Sequence, residues 1–502
     1  MTTGHPYRPD GRAGRGGFVL LAVLVFVLLL SMVTLSLMYR SGAEETAVGA
    51  GLGSEQAWSA AMSGVREALR VAAAAPVGST DWQDNPSLFR DRPVADDGAD
   101  RWFFTVYSPS TSDDTFDVRH GLSDEAACVN VNHPGGCDLE RIPRMTPAMA
   151  GALRQFVGLP RPASGKVPKT DAPIAPESPA DGAAPEPIAD GTPAEPDPSA
   201  VVSRHGPLAS LDELAGIPGF PWSLLRGEDA NRNGRLDANE DDGDETFPPD
   251  NKDGRLDHGM AQYFTVGSYD PDRAASGRRR TDLNDPEDPL PAELPAAFAD
   301  YVAAVRAAHM KLPHPADTLE ATVHAKDANG VETEIPSGVT KENLPLVLDL
   351  CTTDSTGRHE GRININTAGA LVLATLPGVD LSLAETIVSS RAGISPERRA
   401  TPAWIYQEGL LDAAQFKAVA PFLTARSAQF RFQVLGYGIP SGRFRMVSVS
   451  IDVAGPEPRI VELRDITRLG LPFKPGGDAK KTDGEAAFAR PTGNAARGFS
   501  NG

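Results

Sequence analysis

Asp229, Asn231, Asn233, Gly234, Asp237 and Glu240 lie in the run DANRNGRLDANE. They occupy positions 1, 3, 5, 6, 9 and 12 of the loop pattern D-x-[DN]-x-[DN]-G-x5-E. That spacing delivers hard oxygen donors to one point. The side chains of Asp229, Asn231 and Asn233 alternate inward, Gly234 makes the turn, Arg235 offers its backbone carbonyl, Asp237 acts through water and Glu240 closes with both oxygens. The chemistry this implies is calcium coordination, with roughly six to eight oxygens at about 2.3–2.6 Å. Further along, NKDGRLD repeats NRNGRLD. Asn251, Asp253, Gly254, Arg255 and Asp257 fit positions 3, 5, 6, 7 and 9, but Pro249 and Met260 stand at positions 1 and 12. The second loop is therefore incomplete, although Asp250 could supply a ligand from a shifted position. Between residues 228 and 257, 11 acidic side chains face four basic ones, a density that repels itself without a cation. The DDGDETFPPD that follows Glu240 cannot form the exit helix a calcium sensor moves. The pattern reads instead as a staple that folds the loop when the ion is bound.

No other constellation rises to chemistry. Histidines are scattered without metal spacing, and G-x-S-x-G, H-E-x-x-H and phosphate-cradling loops are absent, so no catalytic residues are assigned and an enzyme is not expected. The 502 residues suffice for two to four domains. A net charge of −19 argues against nucleic acid and anionic membrane surfaces as partners. Three cysteines are too few for a disulfide scaffold. Cys128 and Cys137 are open to two readings, a pair in an oxidising compartment or unpaired buried thiols.

The loop's compartment depends on the N-terminus. Phe18 to Tyr39 is a run of 22 residues without a charge, long enough as a helix to cross the roughly 30 Å hydrocarbon core. Arg8, Arg12 and Arg15 precede it, so the basic flank stays inside and the bulk of the chain lies outside. The run is too long for an ordinary secretory signal. A basic leader ending in Gly17, followed directly by Phe18 and the apolar helix, resembles the type IV prepilin class. That resemblance implies peptidase cleavage between Gly17 and Phe18 and methylation of the new N-terminal Phe18. An uncleaved signal anchor is the alternative, with the same topology. Counting from Phe18, position five is Ala22 where most such subunits carry Glu. A subunit lacking that carboxylate fits poorly beneath other subunits, because a neighbour's buried ammonium would go unpaired. It fits better at a filament's end.

Residues 43–75 are alanine-rich and lack proline, so the helix continues as a stalk. Residues 101–119 read as a hairpin around a Ser/Asp turn. The Pro/Ala/Asp/Glu run 160–200 has too little apolar surface to offset ordering entropy and reads as a disordered linker. Segments 430–438, 444–453 and 459–466 alternate strongly and read as an antiparallel meander.

A motif repeats inside the chain. RININTAGALVLATLPGVDLSLAETIVSSR (362–391) has the form of a helix-hairpin-helix unit. In it Asn364 and Asn366 initiate, Thr367 caps a helix carrying Leu371 and Leu373, and Pro377-Gly378 turns into a second helix with Ala384 and Ile387 inward. A shift of 234 residues aligns Asn130, Asn132, Leu139, Pro143, Ala150 and Leu153 with Asn364, Asn366, Leu373, Pro377, Ala384 and Ile387. LASLDELAGIPGF (208–220) is a third half-unit. Such hairpins bind nucleic-acid backbones when glycine-rich and basic. Here Asp380 replaces a second glycine and little basic charge lies nearby, which favours a protein-packing module.

In this order, the anchor without Glu at position five, SDEAACVNVN, SLDELAGIPGF, the acidic loops, GRININTAGALVLATLPG and the closing meander resemble the K-type minor pseudopilin family of type II secretion (general secretion pathway protein K). The resemblance implies an α+β fold: a pilin-like long N-terminal helix packed on an antiparallel sheet, with a large inserted, mostly helical domain containing helix-hairpin-helix-like units and calcium loops. The implied layout is leader 1–17, transmembrane helix 18–39, continuing helix 40–75, and pilin-like strands with a degenerate hairpin unit over 76–159. Linker 160–200, inserted domain 201–425, C-terminal strands 426–470 and disordered tail 471–502 follow. It also implies bound calcium, a single-pass bacterial inner-membrane location with most of the chain periplasmic, and a role at the tip of the pseudopilus. The implied partners are the I-type and J-type minor pseudopilins, the prepilin peptidase, the inner-membrane secretion platform and exported cargo. The alternative is a membrane-anchored minor pilin, or a DNA-uptake module using the hairpin motifs.

Overall fold

A computed structural model describes residues 16–109, 118–159, 206–229, 236–326, 332–354 and 356–473. The expected linker, all of the tail beyond residue 473 and most of the leader lie outside them. One unbroken helix of 59 residues, Gly16–Ala74, opens the described chain, with Gly17 and Phe18 in its first turn. Its apolar residues from Val19 to Tyr39 are exposed, and it is the one helix, among the described residues, long and apolar enough to cross a membrane.

The lower half of this helix buries Ala57, Ala61, Val65, Ala68 and Ala72, spaced three or four apart along one face. That face lies on an antiparallel sheet ordered Arg92–Asp96, Arg101–Tyr107, Gln429–Ile439, Phe444–Asp452, Arg459–Asp465, with Ser123–Asp124 also pairing Gln429–Ile439. Small residues set the spacing. A Cβ at Gly436 would stand 2.2 Å from the Ala57 carbonyl oxygen and 2.4 Å from the Ala61 nitrogen, so backbone touches backbone there. Phe104, Val106, Phe430, Phe432, Val434, Val447 and Val449 fill the layer between helix and sheet.

The C-terminal strands lie where the alternating segments place them. Of the hairpin expected over 101–119, the first run is the strand Arg101–Tyr107, which lies between Arg92–Asp96 and Gln429–Ile439, and an antiparallel bridge joins Ser108 to Arg119. The rest of that expectation, residues 110–117, lies outside the described residues. Because Arg101–Tyr107 and Ser123–Asp124 both pair with Gln429–Ile439, everything between 124 and 429 is an excursion from one sheet. Its described part mixes short helices with two-stranded pairs around a core of its own. Helices such as Pro147–Val157, Ala296–Ala307 and Leu381–Ser390 alternate with strand pairs only two to five residues long.

Candidate functional site

The two hairpin copies share more than a sequence pattern. In the second, Ile363–Asn364 pairs in parallel with Leu423–Thr424, and Ile365 donates its N–H to the Thr424 carbonyl at 2.9 Å. In the first, Val129–Asn130 pairs in parallel with Phe264–Thr265, and Val131 donates to the Thr265 carbonyl at 2.9 Å. Asn364 Oδ1 accepts from Asn366 N at 2.9 Å, and Asn130 Oδ1 accepts from Asn132 N at 3.0 Å. The second asparagine of each pair is buried and donates to two carbonyls: Asn366 to Arg399 and Ala425, Asn132 to Leu208 and Val266. Each Asn-x-Asn pair thus latches a hairpin onto a distant closing segment.

The turns match as well. Gly378 has φ +73°, and Arg144, its counterpart in the copy without Pro-Gly, has φ +65°. Thr146 and Asp380 cap the following helices by accepting from Met149 N and Leu383 N. The cap expected at Thr367 is corrected. Gly369 precedes the helix Ala370–Leu373 with no side-chain cap, and the Thr367 hydroxyl donates instead to Asp124 Oδ2 at 2.6 Å. A buried acceptor outcompetes the helix end for it. Asp124, on the sheet's short strand, also accepts from Asn364 Nδ2 at 2.8 Å, Ser427 Oγ at 2.6 Å and Ala126 N at 2.9 Å. It ties the sheet to the second hairpin unit. The two hairpins also dock on each other, Arg141 Nη1 donating to the Ala374 and Val379 carbonyls at 2.8 and 2.7 Å. Cys128, Cys137 and Cys351 are all free and buried, which decides between the two readings of Cys128 and Cys137.

The acidic stretch is an insertion in the first unit. APFLTARS (420–427) closes the second unit and AQYFTVGS (261–268) closes the first, yet only the first carries the acidic residues just before it. Its neck is narrow. A Cβ at Gly227 (φ +62°) would lie 2.0 Å from the Asp257 carbonyl oxygen and 2.5 Å from Gly259 N. One at Gly259 (φ +65°) would lie 2.4 Å from Gly227 N. Glu228 N donates to the Asp257 carbonyl at 2.8 Å, closing the base. Sequence reasoning passed over these glycines, although their places just outside the acidic run were a usable signal.

No model of a known protein family matches the chain, and no curated protein matches it.

Within the insertion, Asn231, Asn233, Gly234 and Arg235 lie outside the described residues. Asp229 and Glu240, the first and last ligand positions, are buried at 8% and 1% exposure. Glu240 Oε2 accepts from Asp237 N at 3.1 Å. In the second loop Asn251 Oδ1 accepts from Asp253 N and Asp253 Oδ1 from Arg255 N, and Asn251 Nδ2 donates to Asp253 Oδ2 at 3.0 Å. Asp250 accepts from Asp242, Gly243 and Lys252 backbone N–H groups, and Asp257 pairs with Arg144 at 2.7 Å. Among the described residues no three His, Cys, Asp or Glu side chains form a metal-holding group.

The charge pattern still fits a divalent cation. Burial pushes the Glu228 carboxyl above its ordinary value, and the charges of Asp257 and Asp250 push the same way against two backbone N–H bonds from Asp257 and Asn251. A raised folded value means that Glu228 contributes stability at low pH that is lost as pH rises through it. Glu228, Asp250 and Asp257 crowd carboxyl groups at the neck, which a bound cation would offset. The donors that would hold it are all oxygens, the set Ca²⁺ prefers.

Proposed function

We propose that this chain is a minor pseudopilin of the K type, a tip subunit of the type II secretion pseudopilus that assists its initiation and protein export across the outer membrane. The observation that carries this reading is the single helix Gly16–Ala74, apolar and exposed above, packed below on an antiparallel sheet. An exposed apolar segment of that length needs a lipid or filament environment, and a rigid stalk passes its position to the sheet. Ala22 in place of a carboxylate supports a terminal place. In this reading the chain sits in the inner membrane with its bulk in the periplasm, contacts I-type and J-type minor pseudopilins, the secretion platform and cargo, and is matured by prepilin peptidase.

The processing step is directly testable. Replacing Gly17 with Asp leaves a precursor longer by the leader on a denaturing gel, and a normally processed Gly17→Asp chain would overturn the prepilin assignment.

Calcium enters this reading as a structural ion in the acidic insertion, drawn from a compartment where it is abundant. Asp229, Asn231, Asn233, Asp237, Glu240 and the Arg235 carbonyl would hold one ion, and Asn251, Asp253 and Asp257 belong to the neighbouring loop. Ion binding that orders a loop is folding energy for that loop. In chelator, limited proteolysis should therefore cut within residues 228–257 at sites protected in millimolar calcium. An unchanged cleavage pattern would count against the staple.

Nucleic acid binding through Pro377-Gly378 is disfavoured. The Asp380 carboxylate occupies the helix end a phosphate would need, and Arg141 is committed to two carbonyls.

A further inference from the structure

The excursion encloses a second polar place, away from the acidic insertion. A cavity of 40 Å³ lies between the closing segment of the second hairpin unit and the strand pairs around residues 270, 281, 352 and 359. It has room for roughly three waters, or one oxyanion of five heavy atoms. Its wall carries the guanidinium groups of Arg280, Arg362 and Arg426, the His314 imidazole, the Thr401 hydroxyl and one carboxylate, Asp270.

That wall is incompletely satisfied. Asp270 is 2% exposed, and its Oδ2 receives Arg362 at 3.2 Å and Arg280 at 3.6 Å. Its Oδ1 has no partner, and neither does the hydroxyl of Thr401, itself 6% exposed. His359 also lines the cavity, its Nε2 without a hydrogen bond but 3.3 Å from Asp272 Oδ1. Buried polar groups in native proteins are nearly all paired, so Asp270 Oδ1 and the Thr401 hydroxyl, orphaned on one cavity wall, mark a missing occupant. The charges say what kind. His314 Nδ1 accepts from Ala316 N at 3.1 Å, which places the proton of the neutral ring on Nε2. Burial holds that ring neutral, and Arg362, His359 and Arg280 act in the same direction, while Arg280 also pairs with Asp272 and Arg426 with Asp349. A cation would meet three guanidinium groups. A bare anion would meet the unpaired lone pair of Asp270. An occupant that accepts from Arg and Thr while donating one proton to Asp270 satisfies both orphans.

We propose that this cavity is a binding site for a small protonated oxyanion, of which monohydrogen phosphate is the representative. Arg362 and Arg280 hold Asp270 in place through Oδ2, leaving Oδ1 to accept the ligand's proton. Sulfate, of the same shape but without a proton at neutral pH, lacks that bond and faces a buried repulsion instead.

Equilibrium dialysis of the full-length chain in detergent, with labelled inorganic phosphate near neutral pH, tests this. The expected result is saturable uptake of one phosphate per chain, with sulfate displacing it at least roughly tenfold less well, the value of one hydrogen bond to a charged group. Thr401→Val removes a hydroxyl that supports nothing else. It should weaken phosphate roughly tenfold while leaving the thermal midpoint without phosphate unchanged. Asp270→Asn, offering N–H in place of a lone pair, should erase the preference over sulfate. A folded wild-type chain that takes up no phosphate to saturation would show a cavity that holds only water and overturn the proposal. So would displacement by sulfate and phosphate with equal ease.

Discussion

Replacing Asp124 with Ala should lower stability by about 2–3 kcal/mol at pH 7, read as an earlier urea midpoint, and by more at pH 4. The carboxylate is buried and accepts from four donors: Asn364 Nδ2, Thr367 Oγ1 and Ser427 Oγ on one oxygen, Ala126 N on the other. Alanine leaves those donors without an acceptor, at about 1–3 kcal/mol for each that finds no substitute. Part of that loss is offset, because the wild-type carboxylate is itself costly to bury. Desolvation pushes its pKa up to about 6, against the pull of Ser427, Thr367, Ala126 and Asn364. The sign follows from linkage. With the folded value above the unfolded value of about 3.9, the group's contribution is fully present below pH 4 and is lost as pH rises through about 6. The wild type should gain stability on acidification over that window while Asp124→Ala does not, so the gap between them widens. Asp124→Asn keeps the shape, and the two hydroxyls can rotate to accept from its amide. Only Asn364 then faces a donor, so the cost should fall to about 1–2 kcal/mol and lose its pH dependence. A flat difference between wild type and Asp124→Ala across pH 4–7 would contradict a buried ionised latch.

Asn366→Ala should cost about 3–5 kcal/mol, and Asn366→Asp at least as much. The asparagine is 4% exposed and lies on no surface a ligand could reach. Its amide donates to the Arg399 carbonyl at 2.8 Å and the Ala425 carbonyl at 3.1 Å, and its oxygen accepts the Trp404 indole N–H at 3.1 Å. Alanine orphans all three and leaves a void. Aspartate keeps the indole bond but turns lone pairs toward two carbonyls. Asn132 makes the same use of its side chain, donating to Leu208 and Val266 carbonyls and accepting from Leu208 N at 2.7 Å, so Asn132→Ala should behave alike. Chemical unfolding monitored by tryptophan fluorescence measures both. A surface-like cost below about 0.5 kcal/mol at either position would contradict the latch.

The legible features were those written in one strong local signal. The 22-residue apolar run, the alanine stripe of the stalk and the three alternating strands each carry their period in the chain. Asn364, Asn366 and Pro377-Gly378 were legible because turns demand particular residues, and the degenerate copy was found through its asparagines. Arg144 hid its turn, since a left-handed arginine has no sequence mark. Strand Arg92–Asp96 was illegible because every residue in it is exposed, leaving no alternation to read. Asp124 was quoted within SDEAACVNVN but given no role, because its four partners lie up to 303 residues away. The two-residue closing strands 264–265 and 423–424 are too short for any period. For the acidic insertion, spacing proposes a calcium-loop pattern, whereas the pinched neck depends on Gly227 and Gly259 meeting across the loop.

The central claim is that this chain completes the tip of a pseudopilus. The most direct measurement is co-purification of the tagged soluble region, residues 40–473, with the soluble regions of the I-type and J-type minor pseudopilins from the same cell, alongside retention on immobilised duplex DNA. The account predicts a stoichiometric complex of the three, eluting together on size exclusion in calcium, and no retention on DNA. A folded chain that elutes alone in the presence of both partners, or that is held on DNA instead, would contradict it.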